Sequence, residues 1–280
     1  MARKNFFERM EREINFKKEY QKIEDIILNE HSRNKSTIEE EISIVFRNWP
    51  ERGNYTSFYE LREELGFSYY RTKYGRYAAN CGKIIDINEF LLYCEMMLNM
   101  FSFLSKTRAT FNSDRILTII DTINFDLDKI NHKSFMDKNQ RIFIVQKDAA
   151  ATAVADMVET DLGDAIILYN HHLLKGDIEK KKAIIKKIAD ALEPKRSALR
   201  TQCSEIENNF FYMVNNFNIR HNNCDPSDKS KYNEMFATLS SKEQEDWYDD
   251  IYQEGLMAFL SLEHTDRNER IKEFRRQCNR

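Results

Sequence analysis

Arg220 and His221 close the stretch YMVNNFNIRH, and Asn215, Asn216, Asn222 and Asn223 flank them. Histidine ionises near pH 6.5 when unperturbed, so its imidazole can take or give a proton close to neutrality. An adjacent guanidinium can stabilise charge that develops on phosphate oxygens. On RNA the neighbouring 2′-OH supplies the nucleophile. Arg220 and His221 are therefore candidates for metal-independent cleavage of a phosphodiester, with Asn216, Asn222 and Asn223 orienting the imidazole or the substrate. The same residue types also suit a helix end, whose partial negative charge favours His⁺ and Arg⁺ as carbonyl caps. On a 3.6-residue period, a core stripe of Phe210, Phe211, Val214 and Phe217 leaves Asn216, Arg220 and Asn223 on another face, with His221 beside it. Both readings stand on these residues alone.

A second group lies in FSYYRTKYGRYAANCGK, where Tyr70, Arg71, Lys73, Tyr74, Arg76 and Lys83 interleave aromatic and basic side chains without one acid. Cations can track phosphates while rings stack on bases, the pattern that single-stranded RNA binding requires. The overlapping ELREELGFSYYRTKYGR resembles a helix-turn-helix, although Arg62 stands where such motifs want a small residue. The lysines of KGDIEKKKAIIKKIADALEPKR mostly fall opposite an isoleucine stripe and read as a solvated face. His171 and His172 diverge by about 100° on a helix and cannot easily share one metal from it, which suggests a structural or interface role. In DPSDKSKYNE, Lys229 occupies a position where a calcium loop needs oxygen. Neither a metal nor a cofactor is called for, and P-loop, dinucleotide and serine-hydrolase signatures are lacking.

These groups must be positioned by helices. The 280 residues hold only 7 Gly and 3 Pro, with 32% charged and 41% hydrophobic residues, a balance that favours long helices over turn-rich sandwiches. A net charge of -3 offers no global attraction to nucleic acid, so any such contact is local. Five cysteines without a CxxC pair, a highly charged start and no apolar run near the roughly 18 residues of a membrane span fit a reduced, cytoplasmic protein. Helical spacing at residues 5–30 includes Phe6, Met10 and Ile14. Ser36 with Glu39 and Ser57 with Glu60 predict helix starts, and residues 88–103 form a buried helix. Another helix spans 113–131, RIFIV reads as a strand, and helical segments then run to about residue 275. The chain is expected to be mostly α, with an N-terminal helical part over 1–134, a small β element at the junction and an up-and-down helical bundle over 135–280.

GDIEKKKAIIKKIADALEPKR, the helix ending NNFNIRHNN and the final EDWYDDIYQEGLMAFLSLE together resemble the C-terminal domains of bacterial abortive-infection proteins and the wider HEPN superfamily, over residues 148–275. The resemblance implies a metal-independent endoribonuclease of phage defence that acts on RNA as a homodimer, its two motifs facing one cleft. The first part would be a sensor or targeting region. The usual HEPN signature places an Arg four to six residues before the His; here Arg220 and His221 are adjacent, and Asn215 and Asn216 occupy the upstream places. Some relatives are noncatalytic. The alternative is therefore a helical interaction or nucleic-acid-binding regulator, including DNA reading through residues 57–80.

Overall fold

The computed structural model describes residues 14–29, 36–73, 76–79, 85–107 and 113–278; the expectations for Phe6, Met10, Tyr74, Cys81 and Lys83 lie outside them. The chain is mostly α, and β structure among the described residues is confined to two small two-stranded sheets. No described helix is long and apolar enough to cross a membrane. Two compact units, Met1–Ile144 and Val145–Arg280, divide the chain. The division falls inside a strand, one hairpin later than the boundary expected at 134/135.

In the first unit, α1 (Phe16–Leu28) is capped by the Asn15 side chain, which accepts from the Lys18 N–H at 3.0 Å. Helix α2 (Ile38–Val45) starts on a capping box of Thr37 and Glu40, one residue past the expected Ser36 and Glu39. Ser36 instead donates to Glu41 at 2.6 Å, and Glu39 turns inward to Arg62. Ser57 caps α3 (Phe58–Glu64) as its spacing predicts, and Gly66 at φ +79° ends that helix.

The helix-turn-helix expectation fails at the next element. Residues after Gly66 form β1 (Tyr69–Arg71) and β2 (Tyr77–Ala79), an antiparallel pair, so these described residues, where the recognition helix was expected, are strands. Tyr69 and Tyr77 meet edge to face across the pair, 5.7 Å between centroids, the cross-strand contact that a tyrosine-rich segment favours. Arg62 has no solvent exposure. It pairs with Glu24, with Glu39 at 3.1 Å and with the Phe67 carbonyl at 2.9 Å, while Tyr93 donates to Glu24 at 2.5 Å and Tyr69 to Glu39 at 3.0 Å.

Helix α4 (Ile87–Thr107) is the centre of the first core, with Phe90, Tyr93, Met97 and Phe101 buried. Helix α5 (Ser113–Lys129) leads into β3 (His132–Met136) and β4 (Ile142–Gln146). The partner strand β3 is not legible in the sequence beside RIFIV. The turn between them is tied by Asp137, whose carboxylate accepts from the Asn139 and Arg141 backbone N–H groups at 2.9 and 2.8 Å.

Asp126 on α5 is 4% exposed, and its Oδ2 has no hydrogen-bond partner among the described residues. Burial, helped by the Glu19 carboxylate and opposed by Lys22 and Lys129, pushes its pKa from 3.8 up to about 6. The folded state therefore binds more protons than the unfolded chain between these values, so stability falls as pH rises through that window. Asp126→Asn is expected to remove this slope and to stabilise the unit at pH 7 by about 1–3 kcal/mol. Urea midpoints measured from pH 4 to pH 7 check it; identical slopes for both proteins would exclude it.

The second unit comprises α6 (Ala149–Ala155), α7 (Thr160–Leu168), α8 (Ile178–Leu192), α9 (Arg196–Gln202), α10 (Ser204–Asn216), α11 (Glu234–Ala237) and the 38-residue α12 (Ser241–Cys278). Helix α12 packs against α6, α8, α9 and α10. At Gly255 a Cβ would lie 2.8 Å from Ile188 Cγ2 and 3.1 Å from Phe210 Cε2, so the close approach of α8 and α10 to α12 depends on the missing side chain. The lysine face of α8 is not wholly solvated: Lys181 is buried, 2.7 Å from both Glu245 and Asp249. His171 and His172 are not on one helix, because α7 ends at Leu168 and His172 opens a 3-10 turn.

Candidate functional site

The segment from Arg196 to His221 holds two helices, broken at Cys203 and ended at Asn216. The second ending is built from local sequence. Phe217 N–H still bonds the Met213 carbonyl, but Asn218 takes a left-handed conformation at φ +58°, a role that Asn fills readily. The Arg220 N–H then reaches back to Val214 O at 3.2 Å. Arg220 and His221 consequently lie in the turn beyond the helix, not on its face.

Asn223 holds this turn. It is buried, accepts from the Asn218 N–H at 2.9 Å and donates to the Lys231 carbonyl at 2.6 Å, while its own carbonyl accepts from the Asn233 N–H at 2.8 Å. The turn and the loop before α11 are thereby fixed to one another. Asn222 points away, to Asp225 at 3.5 Å. Asn216 remains at the site, donating to Tyr212 O at 2.7 Å.

Arg220 and His221 part company here. The Arg220 guanidinium donates to the Ala189 carbonyl at 3.2 Å and lies 2.6 Å from Glu193, both at the C-terminal end of α8, and it sits over the Phe211 ring. It caps a neighbouring helix and is not among the residues that line the depression of His221. His221 has no hydrogen bond or ion pair among the described residues. It lines an open polar depression of about 550 Å³ together with Asn216, Lys231, Tyr232, Asn233 and Glu234. Tyr212, 61% exposed, borders this depression and continues into a second one of about 440 Å³ that runs past Asn208, Asn209 and Arg196.

Lys231 is the residue the sequence reading missed. Its ammonium has no carboxylate partner among the described residues, and the residue lines the same depression as His221. In sequence the DPSDKSKYNE loop suggests only a failed calcium loop; two lysines around a serine in a polar segment are its one other signal. An ammonium and an imidazole on one wall, amides around them and a tyrosine at the rim form a surface that can hold a phosphodiester and move a proton on it.

The expected basic and aromatic group of the first unit is partly consumed. Arg76 pairs with Asp25 at 3.0 Å, and Arg71 stacks over Tyr77, 6.0 Å to the ring centroid. Tyr70 and Lys73 stay exposed on the hairpin. No family model, no curated protein and no solved structure matches this chain.

Proposed function

We propose that the second unit is a metal-independent endoribonuclease of the HEPN kind, serving bacterial phage defence, with His221 as its proton-transferring group. The observation that carries this reading is that His221, without a hydrogen bond or ion pair among the described residues, lines a polar depression together with Lys231, which has no carboxylate partner among them. A 2′-OH attacks the adjacent phosphorus, the 5′-oxygen leaves, and the products are a 2′,3′-cyclic phosphate and a 5′-hydroxyl. The 2′-OH loses a proton and the 5′-oxygen gains one; His221 carries one of these transfers and solvent water the other, Lys231 stabilises the charge on the non-bridging oxygens, and Asn216 and Tyr212 hold the strand. Arg220 acts through the turn it anchors and not on substrate. The homodimer that the resemblance implies belongs to the same proposal.

The test is incubation of the full chain with RNA in excess chelator. Products ending in 2′,3′-cyclic phosphate, with strands carrying a 2′-deoxy group at the cut position left intact, are expected. Cleavage that requires a divalent ion, or that cuts DNA equally, would overturn the reading. A noncatalytic regulator is the second reading, favoured by Arg220's engagement with Glu193 and Ala189; it predicts RNA binding without any cut product.

A further inference from the structure

Helices α10 and α12 run antiparallel, since Phe217 meets Trp247 at one end, 5.1 Å between ring centroids, and Asn209 hydrogen-bonds Glu254 further along. Between them opens a groove of about 700 Å³. Small-molecule sites fall in the same range, roughly 300–1,000 Å³. Trp247, Asp250, Glu254 and Met257 line it from α12 at steps of three and four, so one stripe of that helix carries a ring, two acids and a thioether. Ile206 and Met213 line it from α10, and Phe217 closes one end.

Neither wall brings a cation of its own. Residues 204–217 and 243–260 contain eight acids and no lysine or arginine. Glu207 is matched by Arg196 and Arg200, and Glu245 and Asp249 by Lys181, but Asp250 and Glu254 have no cation partner among the described residues. Burial holds the Glu254 carboxyl above its ordinary pKa of 4.5, and the Glu205 and Asp250 carboxylates raise it further. Rings stand beside these acids. Phe217 lies nearly perpendicular to Trp247, at 77°, and to Tyr212, at 74° with 6.2 Å between centroids, while Trp247 and Tyr212 remain 40% and 61% exposed. Aromatic faces attract organic cations, tryptophan most strongly.

These surroundings select among ligands. An anion meets like charge, and a neutral apolar molecule would cover two carboxylates and leave them unpaired, which costs free energy. A bare divalent ion takes oxygen ligands and gains nothing from Ile206, Met213 or Met257. A chain of methylenes with ammonium groups along it matches both the apolar and the acidic parts. We propose that the groove binds a linear aliphatic polyamine, its methylenes against Ile206, Met213 and Met257 and its ammonium groups at Asp250 and Glu254 beside the Trp247 ring. Residues four apart on a helix have their Cβ atoms about 5–6 Å apart, so two ammonium groups joined by a four-carbon chain meet both acids at once. The groove shares Tyr212 with the depression that holds His221, so its occupant borders that depression. This inference stands whether or not His221 does chemistry, because its readout is binding and not cleavage.

The experiment is calorimetric titration of the full chain with spermidine, without RNA and at physiological ionic strength. Saturable binding at one site per chain is expected. Butane-1,4-diamine should bind as well, and methylammonium at the same concentration of charge at least about tenfold more weakly, because it lacks the chain that joins the two acids. Asp250→Asn and Glu254→Gln should each weaken spermidine by about tenfold and Trp247→Ala by about fivefold. Glu179→Gln removes one charge from a side chain that is 81% exposed and outside the groove, and should change nothing. Trp247 packs on Phe217, so if its variant loses helical circular dichroism the two acid variants decide alone. Absence of saturable binding, an equal loss in Glu179→Gln, or magnesium chloride competing as well as spermidine at equal charge would each overturn the inference. So would a lysine-rich peptide that occupies the groove where spermidine does not, since the site would then belong to a protein partner.

Discussion

Arg62→Met is expected to cost the first unit about 3–5 kcal/mol, because it strands two buried carboxylates without their cation. Glu24 and Glu39 are both enclosed, and the guanidinium that joins them also donates to the carbonyl of Phe67, where α3 turns toward β1. Burial opposes charge on Arg62, but Glu24 and Glu39 outweigh it and hold its pKa above the ordinary value. Burial raises the pKa of Glu39 despite the arginine. Removing the cation leaves repulsion and desolvation with nothing to offset them, a loss comparable with the whole stability of a small domain, about 5–15 kcal/mol. Urea unfolding followed at tyrosine is the measurement. The triple change Arg62→Met, Glu24→Gln, Glu39→Gln should recover part of the loss, since neutral amides cost less to bury than unpaired carboxylates. A single variant as stable as wild type would show that the network contributes nothing, and no recovery in the triple variant would show that the loss came from packing.

What the sequence made legible follows from how local each signal is. Ser57 and its helix were readable because a side chain three residues from its partner needs nothing else. The α2 cap was displaced by one residue because Ser36 and Thr37 both have a carboxylate three residues on, and the tie was broken by Arg62, 23 residues beyond Glu39. The hairpin at Tyr69 and Tyr77 reads as a helix in sequence because tyrosines and basic residues carry no strong period, and the contact that decides it is across strands. Near His221 the apolar stripe continues in sequence to Phe217 and Ile219 after the helix has ended. Only the positive φ of Asn218 and the clamp from Asn223 show the break. Lys231 joins the site through that same clamp, across a loop whose course no periodicity describes.

That break gives Arg220 and His221 opposite expected signatures, although they are neighbours in the chain. His221→Ala removes a group with no hydrogen bond or ion pair among the described residues, so the melting transition should move by no more than about 0.5 kcal/mol. RNA cleavage in chelator should fall by about 10²- to 10⁴-fold, the usual contribution of a positioned proton-transfer group. Arg220→Ala does the reverse. It leaves Glu193 with only the longer contact to Arg196, 3.6 Å, frees the Ala189 carbonyl at the end of α8 and removes one of the two guanidinium groups over Phe211, which should cost about 1–3 kcal/mol. Below its lowered melting temperature this variant should still cut RNA, because the guanidinium it lacks was not at the depression. Two measurements on each variant, cleavage rate and unfolding free energy, separate the roles. If Arg220→Ala abolished cleavage while fully folded, the guanidinium would have to leave α8 and reach the phosphate. If His221→Ala destabilised the fold and left the rate unchanged, the imidazole would be a cap and the depression would have no chemistry.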